Sequence, residues 1–270
     1  VRPVRDLDPA EARGLRGLLF DLDDTVLTHG VLERAAYDAL WSLRDAGLAL
    51  VAVTGRPAGW GEVIARQWPV AGCVVENGAA YLVRDGAGVT LHDGCDATER
   101  KARRERLADL VERVRAAIPD AKPTDDVASR VSDVTWDVGE RMQLSPERVA
   151  AIVAAIEAAG ARWSLSSVHL HATFDGTDKA GGAVGFCTQV LGEDAGAVPM
   201  RFAFAGDSGN DAPCFAAMHT TFGVANVRSS LGRLVVPPRY VASLPMGAGF
   251  AEIAREIVSK RATLEGMPRP

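Results

Sequence analysis

The sequence predicts an α/β fold: an open parallel sheet with helices on both faces, interrupted by an inserted α+β unit. Two observations carry this expectation. At both ends of the chain, short apolar runs alternate with amphipathic segments of helix length. The middle of the chain follows a different grammar, in which helices accompany strand-like runs suited to antiparallel pairing.

The elements follow in order. Residues 17–20 (GLLF) are an apolar run that stops at Asp21, as a strand buried on both faces would. Residues 31–46 place Leu32, Ala36, Leu40 and Leu43 at helical spacing, and Gly47 is a natural stop. A second buried strand at 48–53 ends at Thr54-Gly55-Arg56, a short helix is predicted over 60–68, and a third strand at 73–75 runs into Glu76-Asn77-Gly78, which reads as a tight turn. Runs at 81–83 and 89–91 flank Asp85-Gly86 and predict a hairpin. Residues 99–118 predict a helix with Leu107, Leu110, Val111, Val114 and Ile118 on one face; its interspersed acidic and basic residues make the other face a solvated one. Strands are expected at 130–138 and 140–144. A helix starts at Ser145-Pro146-Glu147, with Ser at the cap and Pro in the first turn, and two more strands lie within 162–174. The first grammar returns with a helix at 183–191, a strand at 201–205 ending in Gly206-Asp207, a helix near 211–218, strands at 221–225 and 240–242, and a terminal helix at 250–260. Residues 1–82 and 179–270 are therefore expected to form one α/β domain, with 83–178 inserted into it.

Length and composition narrow the function. A chain of 270 residues is expected to form about two domains. A net charge of −5 argues against general affinity for nucleic acid or anionic membrane. No apolar run approaches the ~20 residues that a membrane-spanning helix needs. Residues 1–16 hold no apolar signal core, so a cytoplasmic protein is expected, as monomer or homodimer. Cys73, Cys95, Cys187 and Cys214 lack C-x-x-C spacing and read as free thiols.

In an open α/β sheet, ligands bind beyond the carboxyl ends of the strands. Four polar clusters lie at or near such ends: Asp21-Leu22-Asp23-Asp24-Thr25, Thr54-Gly55-Arg56, Thr177-Asp178-Lys179, and Gly206-Asp207-Ser208-Gly209-Asn210-Asp211. Converging carboxylates repel one another and require a cation or protons. An all-oxygen set suits Mg²⁺, which shares its remaining sites with water and phosphate. The Thr54 hydroxyl, the amides near Gly55 and the Lys179 ammonium are groups that bind phosphate oxygens. Together they describe a phosphoryl-transfer site.

These clusters resemble the four motifs of the haloacid dehalogenase (HAD) superfamily of phosphatases. Asp21-x-Asp23-x-Thr25 is similar to the first, Thr54-Gly55-Arg56 to the second, Lys179 to the third and the 206–211 segment to the fourth. Lys179 is followed by Ala180 and then Gly181-Gly182, where relatives usually have glycine directly. The inserted unit resembles the type IIB cap of sucrose-phosphate, mannosyl-phosphoglycerate and trehalose-phosphate phosphatases. The resemblance implies a Rossmann-like core and a Mg²⁺-dependent phosphatase for a small phosphorylated metabolite, a sugar phosphate by analogy of cap type. It implies Asp21 as nucleophile and Asp23 as acid/base. Thr54, Gly55, Lys179 and Asn210 would hold the phosphoryl group, and Asp21, Asp23, Asp207 and Asp211 would serve the metal, Asp23 through its backbone carbonyl. Arg56, Asn77, His169 and His171 are candidates for substrate recognition. A phosphomutase of the phosphomannomutase type, or a phospho-ligand-binding regulator without catalysis, are the alternatives on this fold. Dehalogenation is disfavoured, because Asp23 has no task in that chemistry.

Overall fold

The computed structural model describes residues 1–166 and 168–262. Its first part comprises β1 (Arg2–Pro3), α1 (Pro9–Gly14), β2 (Gly17–Phe20), α2 (Arg34–Asp45), β3 (Ala49–Val53), α3 (Ala58–Gln67), β4 (Gly72–Val75), β5 (Ala80–Asp85) and β6 (Gly88–Asp93). The middle comprises α4 (Ala97–Ala117), β7 (Asp133–Asp137), α5 (Pro146–Ala158), β8 (Arg162–Leu165) and β9 (His169–Thr173). The last part comprises α6 (Lys179–Gln189), α7 (Val198–Arg201), β10 (Phe202–Gly206), α8 (Ala212–Ala217), β11 (Thr220–Gly223), β12 (Tyr240–Val241) and α9 (Met246–Ala262).

A nine-stranded sheet has the order β1-β12-β11-β10-β2-β3-β4-β5-β6. Every pairing from β1 to β4 is parallel, and the last two are antiparallel. The expected α/β class is thus observed. Alternation along each strand sends successive side chains to opposite faces. Leu18, Phe20, Leu50, Ala52, Cys73 and Val75 pack with residues of α1, α2, α3 and α9 on one face. Leu19, Val51, Val53, Val74, Phe202 and Phe204 pack with residues of α6, α7 and α8 on the other. This explains why these strands read as unbroken apolar runs. The hairpin β5–β6 pairs with β4 and extends this sheet, so residue 83, the expected start of the insert, lies inside β5.

The second layer is a three-stranded antiparallel sheet, β7-β9-β8, with α4 and α5 packed against it around Trp136, Leu170, Leu110 and Ile156. Two expectations here are corrected. Residues 140–144 form no strand: the Asp137 carboxylate accepts hydrogen bonds from the amides of Gly139, Glu140 and Arg141, and ends the ladder by capping the chain that leaves it. The strand expected at 130–138 is confined to β7, because the amides of 131–133 bond to a core carboxylate described below.

A third correction concerns α6, which starts at Lys179 rather than 183, with the Asp178 side chain accepting from the Gly181 amide at 2.8 Å. Of the glycines that argue against a helix here, Gly182 is required by packing. A Cβ on Gly182 would stand 2.3 Å from the Gly78 Cα, so only glycine lets α6 approach the turn after β4. Gly182→Ala is expected to cost about 1–3 kcal/mol through overpacking, read from urea denaturation; an unchanged midpoint would show that the approach is slack.

The four cysteines are free thiols, three of them buried. Among the described residues, no helix is long and apolar enough to cross a membrane.

Candidate active site

The strand order brings distant segments of chain together. β10, β2, β3 and β4 are consecutive neighbours, and their carboxyl ends deliver Asp207, Asp21, Thr54 and Glu76 to one edge of the sheet. Neighbouring strands lie about 4.8 Å apart, so residues just beyond adjacent ends fall within contact range. The ladder between β10 and β2 continues one step, with the Asp21 amide donating to the Ala205 carbonyl at 2.9 Å.

Lys179 enters this group from the first turn of α6. Its ammonium, 2% exposed, donates to Asp21 Oδ1 at 2.5 Å and to Asp211 Oδ1 at 2.6 Å. Burial works against that charge, but Asp21 and Asp211 outweigh it and hold the ammonium well above the ordinary lysine range. Asp211 Oδ2 accepts from the amides of Asp207 and Ser208, which folds the loop after β10 back on itself. Asp207 accepts from the Thr25 hydroxyl at 3.4 Å and from Asn226 Nδ2 at 2.9 Å. Asn226 also donates to the Asp24 carbonyl and accepts from the Met246 amide, so one side chain ties the first and fourth clusters to α9.

Carboxylate oxygens of Asp21, Asp207 and Asp211 lie within 4.8 Å of one another, all buried. Three carboxylates face one ammonium, so negative charge is in excess. Burial and the neighbouring carboxylates push the Asp21 carboxyl up to about 7, against the pull of Lys179. Burial, then Asp211 and Asp21, push Asp207 up to about 8. A hard divalent cation such as Mg²⁺ fits this donor set, because it relieves that excess through oxygen ligands alone. Asp21, Asp207 and Asp211 are the residues that would hold it, and Asp211 also positions Lys179 and the loop amides.

Asp23 stands apart from that trio. Its carboxylate is gripped by Arg56, whose Nε lies 3.0 and 2.9 Å from the two oxygens, and the Arg56 guanidinium stacks 3.8 Å over the Trp60 ring. Asp21, Asp23, Gly55, Arg56, Asn210, His169 and His171 line one cleft of about 540 Å³. Thr54 is fully buried, and its hydroxyl accepts from the Arg56 amide at 3.1 Å. Asn210 accepts from the Ser208 hydroxyl at 2.7 Å. The Asn77 side chain lies against Gly55, 3.1 Å from where a Cβ would stand, and is not part of the cleft wall.

Glu76, which reads as part of a simple turn in the sequence, has a larger role. It is 1% exposed and left-handed at φ 50°. Its carboxylate accepts from the amides of Val131, Ser132 and Asp133, the Ser132 hydroxyl and the Ala58 amide. A core residue thus holds the entry to β7 in place. Arg130 adds a second link, donating to the Gly55 carbonyl at 3.1 Å, to Asp133 at 2.9 Å and to Asp126. Strained backbone of this kind persists where surrounding bonds over-determine it.

Neither a family model nor a curated protein matches the chain. Solved structures do. A Thermoplasma acidophilum protein superposes with a TM-score of 0.70 at 18% identity, over 90% of this chain and 98% of its own. Sucrose-phosphatase from Synechocystis, solved with sucrose and phosphate, gives 0.63 at 17% identity over 90% and 98%. A HAD-superfamily phosphatase from Bacteroides thetaiotaomicron gives 0.62 at 17% identity over 93% and 98%. The chain therefore has the fold of HAD-superfamily hydrolases across nearly its whole length.

Proposed function

We propose that the protein is a Mg²⁺-dependent phosphatase that hydrolyses a small phosphorylated metabolite through an aspartyl-phosphate. One observation carries this reading: Asp21, Lys179, Asp207 and Asp211, from three separate stretches of chain, meet in a buried group at the edge of an open cleft. The type IIB reading of the inserted layer and a sugar-phosphate substrate are supported by the polar cleft and by the fold shared with sucrose-phosphatase and a trehalose-6-phosphate phosphatase related protein.

In the first step an Asp21 carboxylate oxygen attacks phosphorus, and the bond from phosphorus to the ester oxygen breaks. Asp23, as the acid, gives its proton to the departing alkoxide. In the second step a water oxygen attacks phosphorus while Asp23 takes the water's proton. The bond to Asp21 breaks, releasing inorganic phosphate and the free carboxylate. Lys179 holds Asp21 in place and offsets part of its charge. The Gly55 turn and Asn210 face the cleft where phosphoryl oxygens would lie; Arg56 pairs with the Asp23 carboxylate between turnovers, and Asp23 has to leave that pair to carry the proton it gives to the leaving group. A bound Mg²⁺ would screen the repulsion between the anionic nucleophile and the anionic ester.

Asp23→Asn is expected to slow turnover of alkyl phosphates by ~100-fold or more, the usual loss when acid–base help is removed. A steady-state assay of released phosphate checks this, and a near-normal rate would remove Asp23 from the mechanism. Chelation of divalent cations is expected to abolish release, and added Mg²⁺ to restore it. Isomerised sugar phosphate in place of free phosphate would identify a mutase instead.

A further inference from the structure

His169 and His171 sit on the same face of β9, and both line the cleft. Their ring nitrogens are used differently. His169 Nε2 pairs with Glu140 at 2.8 Å. His171 engages through Nδ1, which lies 3.0 Å from Asp133 Oδ2 and 3.2 Å from the Thr135 hydroxyl. Its Nε2 has no hydrogen-bond partner among the described residues.

The tautomer follows from these partners. Asp133 is fully buried, yet Arg130 and His171 hold its carboxyl below the ordinary range, so it is an acceptor. An acceptor at 3.0 Å requires the proton on Nδ1. Burial of the ring disfavours the imidazolium and outweighs the pull of Asp133. The ring is therefore neutral, and Nε2 carries a bare lone pair.

The free edge of the ring is held at the phosphate turn. His171 Cε1 lies 3.1 Å from where a Cβ of Gly55 would stand, so the ring fills the space that glycine leaves. Two links keep it there: the chain from the Gly55 carbonyl through Arg130 and Asp133 to His171, and the grip of Glu76 on the amides of 131–133.

We infer that His171, oriented by Asp133, reads the leaving group: its Nε2 accepts a hydrogen bond from a hydroxyl near the ester oxygen and selects hydroxyl-bearing phosphate esters over bare alkyl ones. This rests on the phosphatase reading above. A site built to pair with a hydroxyl discriminates against the analogue that lacks it, since the acceptor facing the cleft then loses that partner.

The test compares glycerol 3-phosphate with propyl phosphate, which share a carbon frame and differ in hydroxyls. The wild-type ratio of kcat/KM is expected to favour glycerol 3-phosphate by ~10-fold or more, the scale of one hydrogen bond to a committed partner. His171→Leu is expected to bring that ratio close to one, and His171→Gln, which returns an oxygen near the Nε2 position, to restore part of it. Asp133→Asn carries the same test, because its amide donates to Nδ1 and forces the proton onto Nε2. A purely structural role would lower both substrates equally and leave the ratio unchanged, which would overturn the inference. A wild-type ratio near one would do the same. Release of phosphate from neither ester, nor from any other monoester, would reject the phosphatase reading itself.

Discussion

Asp21→Asn is expected to release no measurable phosphate from any monoester, a loss of roughly 10⁴-fold or more, as for removal of a nucleophile elsewhere. The amide cannot form the acyl phosphate. The fold is expected to survive. Asn retains an oxygen for the Lys179 hydrogen bond and removes one of three crowded negative charges from a buried group. Burial and like charge already push the Asp21 carboxyl up to about 7, so a neutral isostere relieves part of that conflict. The melting temperature without added metal should therefore hold or rise while activity disappears. Undiminished release would reject Asp21 as nucleophile, and a collapse of the fold would show that its charge is structural.

Glu76→Ala is expected to be the most damaging substitution for stability away from the apolar core. It leaves the amides of 131–133 and the Ser132 hydroxyl without their acceptor. Each orphaned buried donor costs about 1–3 kcal/mol, and water entering the gap recovers part, so the net loss is expected to be about 3–5 kcal/mol. It also frees the loop that carries Arg130 and Asp133, so kcat/KM should fall although Glu76 touches no substrate. The pH dependence has a definite sign. Burial, reinforced by Asp133, pushes the Glu76 carboxyl up from 4.5 to about 7, against the pull of the backbone amides. Between those values the folded chain binds a proton that the unfolded chain has released. Its contribution is full below about 4.5 and fades as pH rises through about 7. Glu76→Gln lacks that titration, so the stability gap between wild type and Glu76→Gln should shift in favour of the variant from pH 4.5 to 7. Urea denaturation at both ends of the window reads it, and a gap that moves the other way would contradict the assignment.

Much of the core was legible because each signal was local. Strands buried on both faces give unbroken apolar runs, and the polar residues that follow stand at the ligand-binding edge of any such sheet. Asp21, Thr54 and Asp207 could be placed on that logic. Lys179 could be placed by it only as lying near such an edge, since the start of α6 is obscured by Gly181 and Gly182, and Gly182 serves a close approach to Gly78 visible only in three dimensions. Asn226 carried a weaker signal, a polar side chain just beyond an apolar strand, which the same logic could have caught. Glu76 and Arg130 were harder. The bonds by which they join core and insert run to backbone groups more than fifty residues away in sequence, and a carboxylate that binds amides leaves no pattern in the chain. The two histidines were equivalent by spacing, and only the neighbours of their nitrogens tell them apart.

Asp21 is expected to become covalently phosphorylated at the group it shares with Lys179 and Asp207. Rapid acid quench of the Asp23→Asn variant, mixed with Mg²⁺ and a radiolabelled phosphate monoester that it turns over, tests this most directly, because slow hydrolysis should let the intermediate accumulate. Label is expected on the peptide containing Asp21, labile to hydroxylamine as an acyl phosphate is, and none after Asp21→Asn is added. Phosphate release with no protein-bound label, or label on any other residue, would contradict it.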